Sequence, residues 1–180
     1  MSGLSSPSYP PQAFEKAMVF IDGSNLFPRL REAKVKVRNF HDIAKAACGS
    51  RELHRVYLCT CQEKLDKAME VHGQDSFRGC RVVLGESVKL EKGGHREKGV
   101  DALLVADLVY HAASKNCQFA AVLSNDLDFS VALKRVEDFG CRTGVLSLID
   151  NAPERLIQSC DNYFFFTASD MVKNNWCARL

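Results

Sequence analysis

The sequence predicts a single three-layer α/β/α domain with a mainly parallel central sheet. Three observations carry that expectation. Strand-like and helix-like segments alternate along nearly the whole chain. The segments "AMVFI" and "FAAVL" are apolar throughout instead of alternating, as strands covered on both faces are. A length of 180 residues, 46% of them hydrophobic, suffices for one domain with a full core.

Residues 1–13, "MSGLSSPSYPPQA", are rich in Ser and Pro and read as a disordered leader, which places the domain at 14–167. "AMVFID" is a strand that ends on Asp22. "GSNLFPRLREAK" begins a helix, with Pro28 near its first turns. "FHDIAKAAC" has helical spacing and stops at Gly49, and "LHRVYLCT" is the second strand. Residues 62–77 are polar and helical. "CRVVLGESVKL" supplies a third strand with room for a short fourth, and "EKGGHREKG" reads as a loop. "VDALLVADLVYHAASK" is the longest helix signal and is apolar over most of its circumference, which predicts deep packing against the sheet. "FAAVLS" is a strand, "DFSVALKRVEDFG" a helix closed by Gly140, "CRTGVLSL" a strand, "APERLIQSC" a helix and "NYFFFT" a last strand. Right-handed crossovers then join parallel neighbours. Residues 168–180 form a tail with no clear pattern.

The net charge of +2 gives no overall field that would announce nucleic acid or membrane, so any basic surface must be local. No apolar run reaches the length of a membrane span, and the N-terminus lacks the form of a signal peptide. A cytoplasmic protein without a membrane partner is expected, its oligomeric state left open between monomer and homodimer. The eight cysteines are scattered, apart from Cys59 and Cys61, and read as buried reduced thiols rather than a zinc site.

Ligand sites of open parallel sheets lie beyond the carboxyl ends of the strands. Asp22 ends the first strand, Asp126 and Asp128 follow "FAAVLS", and Asp101 begins the long helix. Each Asp taken alone fits helix capping. As a set on one rim they would repel one another, and a divalent cation removes that conflict. Carboxylates without adjoining Cys or His suit Mg²⁺ or Mn²⁺, which lowers the pKa of a bound water and stabilises charge on a phosphoryl oxygen. Asn25 in "DGSN" either caps the next helix or orients a phosphate. Two basic stretches, residues 29–38 with Arg31 and residues 89–98 with Lys92, Arg96 and Lys98, flank acid-bearing segments. They are either solvated faces or a track for a phosphate backbone.

"VFIDGSNLF", "KGVDALLVADLV", "LSNDLDFSVALKRVEDFGCRTGVLSL" and "SCDNYFFF" resemble, in order and spacing, the NYN domains of the PIN-like nucleases, in particular the LabA-like subgroup. The resemblance runs from about Ala17 to Thr167. It implies a PIN-like fold and metal-dependent cleavage of RNA phosphodiester bonds. It also implies a catalytic and metal-holding set of Asp22, Asp101, Asp126 and Asp128, with Asp107 behind them or on polar surface. Asn25, Ser124 and Asn125 join Arg31, Lys92, Arg96 and Lys98 as expected substrate-binding residues. Where the family commonly has "SGD", this chain has "SND", with Asn125 in place of Gly. A non-catalytic RNA- or protein-binding regulator is the alternative. A phosphatase forming an aspartyl-phosphate ranks last, because Asp22 is followed by "GSN" and not by a second acid two positions on.

Overall fold

The computed structural model describes residues 15–89 and 95–180. The expected leader lies outside the described residues, as does Lys92. The chain opens with strand β1 (Lys16–Asp22), helix α1 (Gly23–Glu32), strand β2 (Val35–Val37), helix α2 (Phe40–Lys45) and strand β3 (Glu52–Cys61). Helix α3 (Gln62–His72) and a 3₁₀ turn (Gln74–Phe77) lead to β4 (Cys80–Lys89), β5 (His95–Lys98) and helix α4 (Val100–Ala113). There follow β6 (Phe119–Leu123), α5 (Phe129–Asp138), β7 (Arg142–Leu148), α6 (Glu154–Ile157), β8 (Asn162–Phe166), α7 (Ala168–Lys173) and β9 (Cys177–Arg179).

Seven strands form one sheet in the order β5-β4-β3-β1-β6-β7-β8. All neighbours pair in parallel except β4 and β5, which are antiparallel. The chain winds outward from β1 through β3 to β4, then returns to β6 on the other side of β1 and winds outward again. The order therefore reverses between β1 and β6, where Ile21 pairs with Leu123.

The apolar strands have a direct physical reason. In β1, Ala17, Val19 and Ile21 enter one core, beneath α1, α2 and α3, while Met18 and Phe20 enter the other, beneath α4 and α5. In β6, Phe119, Ala121 and Leu123 divide from Ala120 and Val122 in the same way. Both faces of the central strands are dry, so neither parity of position can be polar.

Four expectations are corrected. The segment read as the loop "EKGGHREKG" contains strand β5, with Lys98 opposite Glu86 and His95 opposite Lys89. Its sequence, "HREK", has no apolar residue because it is an edge strand, where charge guards against further pairing. "CRVVLGESVK" is one strand of ten residues, with no short fourth strand inside it. Helix α4 buries a single stripe, Val100, Leu104, Leu108 and Ala112, and leaves Leu103 38% and Tyr110 62% exposed, so its apolar circumference overstated its burial. Residues 168–180 are ordered into α7, opened by a reciprocal capping box of Thr167 and Asp170, and β9, which pairs with β2. Met171 and Cys177 are buried in the first core.

Candidate functional site

The acids gather where the sheet reverses direction, the place at which doubly wound folds bind ligands. Asp22 leaves β1 as the N-cap of α1. One carboxylate oxygen accepts the Asn25 backbone N–H at 3.1 Å, and the other accepts the Ser124 hydroxyl at 2.9 Å. The turn is tight. A Cβ on Gly23 would lie 3.0 Å from the Cys59 carbonyl oxygen and 3.0 Å from the Thr60 Cβ, so only glycine lets α1 start this close to β3.

Ser124, the first residue after β6, is fully buried. Its hydroxyl donates to Asp22 and accepts the Asp126 backbone N–H at 3.0 Å, which ties the two acid-bearing loops together. Asp126 accepts the Asp128 backbone N–H at 2.9 Å, a local turn that launches α5. Asp128 itself stands at the N-cap of α5, exposed and making no side-chain cap bond. Asp101 lies exposed in the first turn of α4. That helix begins close against the sheet, since a Cβ on Gly85 of β4 would lie 2.6 Å from the Val100 side chain.

Asp22 is only 2% exposed. Burial pushes its carboxyl up to about 6, the Asn25 and Ser124 hydrogen bonds pull it down, and the charges of Asp101 and Asp126 raise it further. Asp101 and Asp126, two of the other expected acids, therefore both act electrically on Asp22. Asp107, further along α4, acts on Cys59, as Asp22 also does, and on His111. It sits behind the acid rim and not within it.

Asn25 does more than follow the cap. Its side-chain oxygen accepts the Asn125 backbone N–H at 3.2 Å and an Arg29 N–H at 3.4 Å. Asn125, which stands where the resemblance leads one to expect Gly, has no left-handed φ and so needs no glycine. Its amide donates to the Asp150 and Asn151 carbonyls at 2.9 and 3.1 Å, holding the loop after β7 to the site. Its own side-chain oxygen is buried without a hydrogen-bond partner among the described residues.

Sequence reasoning missed Arg29 and Asp150. Arg29 donates to the Leu148 carbonyl at 2.7 Å and meets the Asp150 carboxylate at 3.3 Å. The available signal was spacing: Asn25 and Arg29 are four apart on one helix and share a face. The basic stretch 29–38 does not form one track on the rim. Arg29 turns inward, Arg31 lines a groove between α1 and α3 with Lys64 and Lys67, and Lys36 continues outward on β2. Lys98, exposed at the end of β5, lies three residues before Asp101 and so adjoins the rim. Arg96 takes its place on β5 opposite Val88.

The sequence model of the NYN domain matches residues 16–170. The chain is a member of the NYN domain family. NYN domains are typically a nuclease-like, RNA-related fold. Among solved structures, this NYN domain is similar to a protein of unknown function from Vibrio parahaemolyticus RIMD 2210633, with a TM-score of 0.66 and 16% identity. The match covers 90% of this chain and 99% of that one, and it shows a shared fold alone. No curated protein matches the chain. No helix among the described residues is long and apolar enough to cross a membrane.

Proposed function

We propose that this NYN protein is a ribonuclease that hydrolyses RNA phosphodiester bonds with Mg²⁺ or Mn²⁺ held by Asp22, Asp101, Asp126 and Asp128. The observation that carries this reading is the state of Asp22. It is a carboxyl at the reversal of the sheet, tied through Ser124 to Asp126, and pushed toward its protonated form first by burial and then by two further carboxylates. A cation relieves that conflict, and hard oxygen donors without sulfur or imidazole among them suit these ions. Bound there, the ion supplies stabilisation of charge on the phosphoryl oxygens and a more acidic water.

The chain's own residues do the positioning. Ser124 fixes the relative placement of Asp22 and Asp126. Asn25 and Asn125 clamp the loops that carry them, and Arg29 anchors the loop after β7. Lys98, beside Asp101, is placed to meet a phosphate entering the rim. Cleavage should rise with pH as Asp22 ionises near 6, and a bound cation should move that limb downward.

One observation favours the alternative of a non-catalytic RNA- or protein-binding regulator. Among the described residues, no three His, Cys, Asp or Glu side chains form a group able to hold a metal ion. Mg²⁺ commonly uses only one or two carboxylates together with water and substrate phosphate, so the ribonuclease reading stands ahead. The deciding experiment titrates Mg²⁺ and Mn²⁺ against cleavage of labelled single-stranded RNA, with thermal unfolding in parallel. Metal-dependent cleavage that Asp126→Asn abolishes is the expected result. RNA binding with neither cleavage nor a metal-induced rise in Tm would establish the regulator instead.

A further inference from the structure

A second charged site lies at the opposite, amino-terminal rim of the sheet. A cavity of about 390 Å³ opens there between β1, β3, β4 and the end of α4. Lys16, Arg55, Arg81 and Lys115 line it, together with His54 and His111. Its lining contains no acid. Four cations thus surround one cavity in a chain whose net charge is only +2. Among the described residues none of the four enters an ion pair. Asp107 stands one turn before His111 on α4, and Glu52 is opposite Lys16 in the strand register.

The local backbone is arranged to build this cavity. Between Ala17 and Met18, β1 advances by one residue while β3 advances from Leu53 to Arg55. His54 is the extra residue of a bulge in a parallel pair, an uncommon device. Consecutive strand residues ordinarily point to opposite faces, yet His54 and Arg55 both line the cavity. Lys115 has φ 56, a left-handed conformation after α4 that favours glycine, and its side chain also lines the cavity.

The floor is rigid. Met18 and Tyr57 are buried, and Tyr57 stacks on Phe20 with ring centroids 5.3 Å apart. The Arg81 guanidinium stands 5.6 Å above the Tyr57 ring. Asn116 Nδ2 and His111 Nδ1 are hydrogen-bonded at 2.9 Å, which orients the ring. Burial lowers the pKa of His111, Asp107 opposes that, and Arg55 and Arg81 lower it again, so both guanidinium groups act on the ring. The carboxyl-end dipole of α4 accounts for one or two cations near its last turn, and not for Arg55 and Arg81 from two strands.

We propose that this cavity is a phosphate-binding site, separate from the acid rim and about 20 Å from it along β1. Guanidinium and ammonium groups converging without carboxylate partners are the chemistry that recognises phosphate oxygens. The phosphate is either part of an RNA strand that also reaches the acids, or a free phosphate compound. The first source rests on the ribonuclease reading, and the second does not.

The test compares the Arg55→Ala, Arg81→Ala double variant with a Lys45→Ala, Lys173→Ala control that removes the same charge elsewhere. Pyrophosphate binding is measured by calorimetry without divalent metal. Single-stranded RNA binding is measured by anisotropy at several salt concentrations, with Asp126→Asn in every variant. If RNA is the source, the double variant loses pyrophosphate binding and its salt slope of log affinity falls by roughly 1.4, about 0.7 for each contact. Loss of pyrophosphate binding with an unchanged RNA slope assigns the site to a free phosphate compound. Pyrophosphate and RNA binding equal to the control overturns the proposal. Absence of cleavage in the otherwise wild-type protein would count against the ribonuclease reading and leave the pyrophosphate result intact.

Discussion

The two rims of one sheet carry opposite charge in opposite conditions. At the carboxyl rim, the acid is hydrogen-bonded through Ser124 and Asn25, and its pKa is raised chiefly by burial and further by Asp101 and Asp126. At the amino rim, the four cavity-lining cations are exposed around a rigid floor. That same rim also holds a closed pair, Arg51 with Glu15 at 2.7 Å, the guanidinium lying 3.9 Å above the Phe119 ring. The difference separates structure from readiness to bind. Arg51 has its counter-charge within the fold, whereas Asp22 has only donors and like charges, and the cavity cations have no carboxylate partner among the described residues.

The largest effect should break the closed pair. Arg51 is 1% exposed in its side chain, so Arg51→Ala takes the near cation from buried Glu15 and leaves it only Arg142, at 3.9 Å. A loss of about 3–5 kcal/mol is expected in chemical denaturation. An equal loss from Arg55→Ala would erase the contrast between closed and open cations. On the acid side, Asp126→Asn should cut cleavage about 100- to 1,000-fold. The fold should hold, because Asn keeps an acceptor for the Asp128 N–H and removes a repelling charge. Full cleavage in this variant would remove Asp126 from the catalytic set.

Asp22→Asn sharpens the comparison through pH. The folded carboxyl titrates near 6 against an ordinary 3.8, so the fold favours its neutral form. Below about pH 4 the group is neutral in both states and costs nothing. The penalty grows between 4 and 6 and is complete above 6, at most about 3 kcal/mol. The variant should therefore gain stability at pH 7 to 8 and gain none at pH 4, read as Tm without divalent metal. A gain at both pH values would point to packing and not to charge. The smallest effect is expected from Ser124→Ala, about 1–2 kcal/mol. Removing that hydroxyl takes away a bond that lowers the Asp22 pKa, so the titration should move above 6 and the loss should be greatest at high pH.

The central strands and the acid positions were legible because they follow simple periodicities. Strands dry on both faces give unbroken apolar runs; Asp22 follows one directly, and Asp126 comes three residues after another. The reversal between β1 and β6 then brings them together by topology. β5 was not legible, since "HREK" holds its place by main-chain bonds at an edge and carries no apolar signal. The exposed side of α4 was hidden for the opposite reason: apolar residues there promise burial that the packing does not supply. Arg29 joined a basic stretch by composition, but its direction is set by one helical turn and by loop carbonyls far along the sequence. The cationic cavity depends on a register shift between β1 and β3, which no single segment of sequence displays.

The pairing of β2 with β9 bears on the timing of folding. Val35 meets Arg179, Val37 meets Cys177, the Arg38 N–H reaches the Trp176 carbonyl, and the Leu180 N–H reaches the Lys34 carbonyl. A segment that precedes most strands of the main sheet thus waits for one made after all of them. Until then Val35 and Val37 lack the strand beside them, and the core they share with Met171 and Cys177 stays open at one corner. This closure spans nearly the whole domain, so it returns stability only after a long loop has been ordered. On the ribosome, the main sheet can form while that corner is still unsealed, and the arrival of β9 is the step that seals it.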